Sequence, residues 1–89
     1  MYAIVGVSKL GPEAQPEMAQ GILANLRSAP GFVSGAFTRS PDRKTGRSMV
    51  LFETEEAAET AAANARASVP ADAPVEIVSI EVYEVVAHA

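Results

Sequence analysis

Residues 30–53 run Pro30-Gly31-Phe32-Val33-Ser34-Gly35-Ala36-Phe37-Thr38-Arg39, then Ser40-Pro41-Asp42-Arg43-Lys44-Thr45-Gly46, then Arg47-Ser48-Met49-Val50-Leu51-Phe52-Glu53. Two runs containing aromatic and β-branched residues flank a segment of Pro, Asp and Gly, which is the pattern of a β-hairpin. With 41–46 as the loop, Arg39 is expected opposite Ser48, Phe37 opposite Val50 and Gly35 opposite Phe52. Side chains alternate along a strand. That register therefore places Val33, Gly35, Phe37, Val50 and Phe52 on one face, and Phe32, Ser34, Ala36, Thr38, Met49 and Leu51 on the other. A glycine facing a phenylalanine leaves room for the ring.

Upstream, residues 2–8 form a first strand, ended by Gly11-Pro12. Pro16 suits the first turn of a helix, where its missing N–H costs nothing, and Glu13 and Glu17 lie where negative charge is favoured. Met18, Ile22, Leu26 and Ala29 recur at helical spacing, with Ala19 and Leu23 beside them. Gly21 costs this helix about 1 kcal/mol against alanine, so a close approach to a neighbour is expected there. Pro30-Gly31 ends the helix.

Downstream, Thr54 is a good N-cap, followed by Glu55 and Glu56 in the first turn of a second helix that runs to about Ser68. Ala58, Ala61, Ala65 and Val69 are its expected buried side, and Glu55, Glu59 and Arg66 its wet side. Residues 70–74 form a breaker-rich loop, and residues 75–86 the last strand. Both parities of that strand are apolar: Ile77, Tyr83 and Val85 on one, Val78, Ile80 and Val82 on the other.

The chain of 89 residues is expected to form a single domain, 1–89, with one modest core. It has no cysteine, which excludes disulfides, thiolate metal sites and cysteine nucleophiles. A net charge of −4 argues against nucleic acid, whose phosphates need a cationic surface. The N-terminus lacks a basic signal-peptide region, and no apolar run reaches the length of a membrane span. A cytoplasmic protein with no membrane partner is expected.

The element order is β-α-β-β-α-β. Right-handed crossovers put strand three between one and two, and strand one between three and four. The predicted fold is α+β and ferredoxin-like: a four-stranded antiparallel sheet with both helices on one face. Two helices cover one face only, yet the strands carry apolar residues on both. The expected cover is a second copy of the same sheet. A homodimer with an interface of about 2,000 Å² or more follows.

With this pattern in place, the chain resembles the dimeric α+β-barrel superfamily, and within it the antibiotic biosynthesis monooxygenase-like domains. The resemblance rests on Pro30-Gly31-Phe32 entering the second strand. It rests also on Met49-Val50-Leu51-Phe52-Glu53-Thr54-Glu55-Glu56-Ala57-Ala58 leading into the second helix. Members of that family often have Trp where Phe52 stands. The resemblance implies a small apolar or aromatic ligand and, in an enzyme, oxygenation without a bound cofactor. The alternative is a non-catalytic binding or structural module. Haem-degrading members use an Asn on the first strand with a Trp and a His in the second helical region. Here Val5 and Val7 stand near the first position, no Trp occurs, and the sole histidine is His88, so haem degradation is not expected.

Individual residues add little chemistry. His88 is one residue from the end and reads as a frayed terminus. No His or Cys cluster supports a metal, and no glycine loop cradles a phosphate. Asp42 and Asp72 sit in expected turns, and Glu53, Glu55, Glu56 and Glu59 read as a helix N-terminal set. Arg39, Arg43, Lys44 and Arg47 gather at the hairpin, either as a solvated tip or as a lure for an anionic ligand. The candidate ligand-binding residues are Phe37, Val50 and Phe52 as an apolar lining, with Arg39 and Ser48 as polar groups at its end. The same apolar three can equally be plain core against the helices. Tyr2 and Tyr83, the only phenols, can orient a ligand or pack within the sheet.

Overall fold

The computed structural model describes residues 1–69 and 73–89. Its elements are β1 (Tyr2–Leu10), α1 (Pro16–Arg27), β2 (Phe32–Arg39), β3 (Thr45–Phe52), α2 (Glu55–Ser68) and β4 (Val75–Glu84). The four antiparallel strands lie in the order β2-β3-β1-β4. The ferredoxin-like arrangement expected from the crossovers is therefore the one observed. Of the loop expected over 70–74, Asp72 lies outside the described residues.

Both helices start as the sequence dictates. Pro16 opens α1, and the Ala57 N–H donates to Thr54 Oγ1 at 3.1 Å to cap α2. α1 ends before Gly31, whose φ of +82° is the left-handed region that glycine tolerates. A Cβ there would lie 3.0 Å from the Ala57 Cβ.

The hairpin register differs from expectation by two residues. Phe37 faces Ser48, Gly35 faces Val50 and Arg39 faces Gly46. The turn is the cause, because it spans 40–44 rather than 41–46. The Ser40 hydroxyl donates to Asp42 Oδ1 at 2.6 Å, and the Lys44 N–H donates to the same oxygen at 3.0 Å. The Thr45 N–H donates to Ser40 Oγ at 3.0 Å, which closes the loop early. A shift of two preserves parity, so Gly35, Phe37, Ser48, Val50 and Phe52 still share a face.

Two bulges change faces locally. One falls between Phe32 and Ser34 on β2. It turns Phe32, not Val33, toward the helices, where its ring meets Phe52 edge-on at 6.1 Å; Val33 is exposed. The other falls where Val7 faces Ser79 but Ser8 faces Ile77, leaving Val78 as the extra residue on β4. Beyond that point the inward set switches from Ile80 and Val82 to Ile77 and Val75. Ile77 was expected on the opposite face from Ile80, and the bulge reverses that.

The core lies beneath α2. Ile4, Val50 and Phe52 from the sheet meet Ala58, Ala61 and Ala62 of the helix, all buried. Ala62 joins the expected Ala58 and Ala61, whereas Ala65 and Val69 are half-buried. Small helix side chains let α2 sit close over large strand side chains. Burying a side chain such as Phe52 stabilises by roughly 1.5–3 kcal/mol. α1 differs, for none of its residues is fully buried and it rests chiefly on β2. It comes close to the sheet at Gly35, where a methyl group would lie 3.2 Å from Leu23 Cδ1. Gly21 plays no such part. It is exposed and a Cβ there meets nothing within 4 Å.

Candidate functional site

A cavity of about 560 Å³ lies between α1 and the sheet. Its origin is a repeated tripeptide. β1 carries Gly6-Val7-Ser8 and β3 carries Gly46-Arg47-Ser48. The antiparallel register sets Gly6 opposite Ser48 and Ser8 opposite Gly46. Four of the smallest side chains thus form one block on the helix-facing side of the two central strands. One step further along, Ile4 faces Val50 and Tyr2 faces Phe52, and the sheet is packed solid under α2.

Ser8, Gly46 and Ser48 line the cavity floor beside Phe37. The Ser48 hydroxyl occupies the space that glycine leaves at position 6, where an added Cβ would meet its Oγ at 2.6 Å. Met18, Ala19, Ile22 and Leu23 of α1 form the roof, and Leu10, Val69 and Val75 close the far end. Gln15 and Arg39 border the cavity, and Arg39 itself is exposed. Thr38 and Arg47, paired on the opposite parity, also border it, and the Thr38 hydroxyl donates to the Arg47 carbonyl at 2.7 Å. The volume falls within the range of about 300–1,000 Å³ usual for small-molecule sites.

Three of the five sequence-based candidates, Phe37, Arg39 and Ser48, therefore come together on this cavity. Val50 and Phe52 do not, being buried against α2 as core. Ser8, Gly46 and the α1 residues were missed. The signal that could have found them is the matching Gly-x-Ser in two strands that pair antiparallel.

Among the described residues, no lining side chain is a carboxylate, imidazole or phenol. The described part of this wall therefore offers no carboxyl, imidazole or phenol as a general acid or base. His88 is exposed beyond β4, and among the described residues no group of three His, Cys, Asp or Glu is placed to hold a metal. The two resolved pKa shifts lie outside the cavity lining. The Ser40 hydroxyl, helped by the Lys44 N–H, holds the Asp42 carboxyl below its ordinary value. The charge of Glu81 pushes the Tyr83 phenol up. A broader, more open depression adjoins the cavity along Lys9, Arg66, Pro74 and Glu76.

The face of the sheet away from the helices is uncovered. It presents Val5, Val7, Met49 and Leu51 on the central strands, with Tyr83 on the edge strand β4. Met49 is 51% exposed and Tyr83 50%. No described helix is long and apolar enough to cross a membrane.

No protein-family model matches the chain, and no curated protein sequence matches it. Solved structures do. A mutant of MhuD, crystallised with two manganese protoporphyrin IX molecules per active site, is 21% identical, with a TM-score of 0.67 over 100% of this chain and 98% of that one. The likeness is one of fold. The second RRM domain of the yeast poly(U)-binding protein Pub1 is 14% identical, with a TM-score of 0.58 over 99% of this chain and 100% of that one. The C-terminal RRM domain of MEC-8, bound to AGCACA, is 11% identical, with a TM-score of 0.55 over 99% of this chain and 95% of that one. RRM sheets read RNA by stacking bases on aromatic side chains. The open face here carries valine, methionine and leucine on its central strands.

Proposed function

We propose that this protein is a homodimeric barrel, two sheets packed face to face, in which each subunit holds one small, largely apolar molecule between α1 and the sheet. The observation that carries the reading is the cavity over the paired Gly-x-Ser segments, next to a filled core. The similarity in fold to a protein that binds porphyrin in its active site supports it. The exposed Met49 and Tyr83, with Val5, Val7 and Leu51 around them, supply the surface for the second subunit.

The finer reading is a cofactor-free monooxygenase acting on an electron-rich aromatic. With no carboxylate, imidazole or phenol among the described lining residues, the reactivity belongs to the substrate, and the protein contributes position and exclusion of water. A methylene between two aryl rings would gain one oxygen atom as a carbonyl. The other oxygen atom would leave as water with the two methylene hydrogens. The alternative is a carrier that performs no reaction, and the open cavity fits it equally well.

Native mass spectrometry for a retained ligand, with oxygen uptake on a panel of phenols and anthrone-like compounds, separates the two. Uptake supports the oxygenase, whereas a bound molecule without uptake supports the carrier. Neither a ligand nor uptake sinks the site. Sedimentation at micromolar concentration tests the dimer, and a species of 9.3 kDa alone would refute it.

A further inference from the structure

We infer that the molecule taken by this cavity carries an acidic group, a carboxylate or phenolate, which is held at Arg39. The inference rests on the cavity being the ligand site. The chain has 11 acidic residues against 7 basic ones, yet Arg39 borders the cavity on its helix-facing side and, among the described residues, no carboxylate lines it. Five of the seven basic residues, Lys9, Arg39, Arg43, Lys44 and Arg47, lie at one end of the sheet, where β1 runs past the β2–β3 turn. Two acids among the described residues lie at this end of the sheet. Asp42 accepts hydrogen bonds from Ser40 and Lys44 within the turn, and Glu76 faces Lys9 across the strands. Glu13 and Glu17, at the start of α1, are exposed and do not line the cavity.

The polar groups at this end suit an organic anion. Arg39 faces Gly46, so Ser48, two residues on along β3, is its diagonal neighbour on the same face. A guanidinium binds a planar carboxylate through two parallel N–H donors. The Ser48 hydroxyl, held in the floor above Gly6, offers a further donor. An apolar body would then lie against Phe37, Ile22, Leu23 and Leu10. A neutral ligand of the same shape would leave Arg39 solvated and gain nothing from it.

The test compares 2-naphthoate with its neutral counterpart 2-naphthylmethanol by calorimetric titration. The proteins are wild type, Arg39→Gln, Arg39→Lys and the charge-matched control Arg27→Gln at the far end of α1, each first checked for an unchanged melting temperature. The expected result is that wild type prefers the acid by about tenfold or more, the scale of one charge-assisted pair. Arg39→Gln should erase the preference, Arg39→Lys should retain part of it, and Arg27→Gln should leave it intact. Added salt should weaken the acid alone. Equal affinities for the two probes would overturn the inference while leaving the cavity as the ligand site. A preference that survives Arg39→Gln would overturn the assignment to Arg39. Binding of neither probe would overturn both the inference and the site.

Discussion

The two helices cover the same sheet in opposite ways. α2 lays alanines on Ile4, Val50 and Phe52 and leaves no space, whereas α1 carries larger residues and leaves a cavity. The difference comes from the strands beneath. Under α2 the paired positions are bulky on both strands, and under α1 they are Gly6, Ser8, Gly46 and Ser48. Large helix side chains over small strand side chains do not close the gap, although Leu23 comes close to the sheet at Gly35. One half of the molecule thus supplies cohesion, and the other gives up cohesion for volume.

The contrast can be broken most sharply at its filled end. Phe52→Ala, at a side chain with no exposure, should cost roughly 3–5 kcal/mol in urea unfolding, because it opens a hole that α2 cannot collapse into. A loss below about 1 kcal/mol would mean that the filled half is not filled. Overpacking sharpens the comparison next. Ala62→Leu under α2 should cost about 1–3 kcal/mol, while Ser8→Leu in the cavity floor should stay within about 0.5 kcal/mol and abolish ligand binding. Equal costs at the two sites would erase the distinction.

α1 should respond to its own helix propensity more than to packing. Gly21→Ala, at an exposed position where a methyl meets nothing, should stabilise by about 0.5–1 kcal/mol. The smallest effect belongs to the turn. Because its folded pKa is depressed, ionised Asp42 contributes stability above the ordinary carboxyl value of 3.8. That contribution is lost as pH falls through the lower folded value. Asp42→Asn should flatten this acid-side slope in urea midpoints measured against pH, and an unchanged slope would contradict it.

The order of elements was legible because its punctuation is local: Pro16, Gly31, the Ser40–Asp42 turn and Thr54 each act within a few residues of themselves. Parity survived a misjudged turn because the error was an even number of residues. The faces of Phe32 and Ile77 were not legible, because a bulge is set by how neighbouring strands pair and leaves no mark of its own in the chain. The cavity was half legible. Phe37, Arg39 and Ser48 follow from the hairpin alone, but the empty space needs Gly6 and Ser8 brought alongside from 40 residues away by the β1–β3 register. Val50 and Phe52 read as lining from the sequence because apolar strand residues look alike until a helix is placed over them.

Both bulges fall on the outermost strands, at Val33 and Val78. A kinked border is a poor template for a further ribbon of hydrogen bonds. Growth sideways into endless rows of molecules is thereby discouraged at each margin, and greasy contact is left to the flat of the sheet, where the proposed second copy would end it.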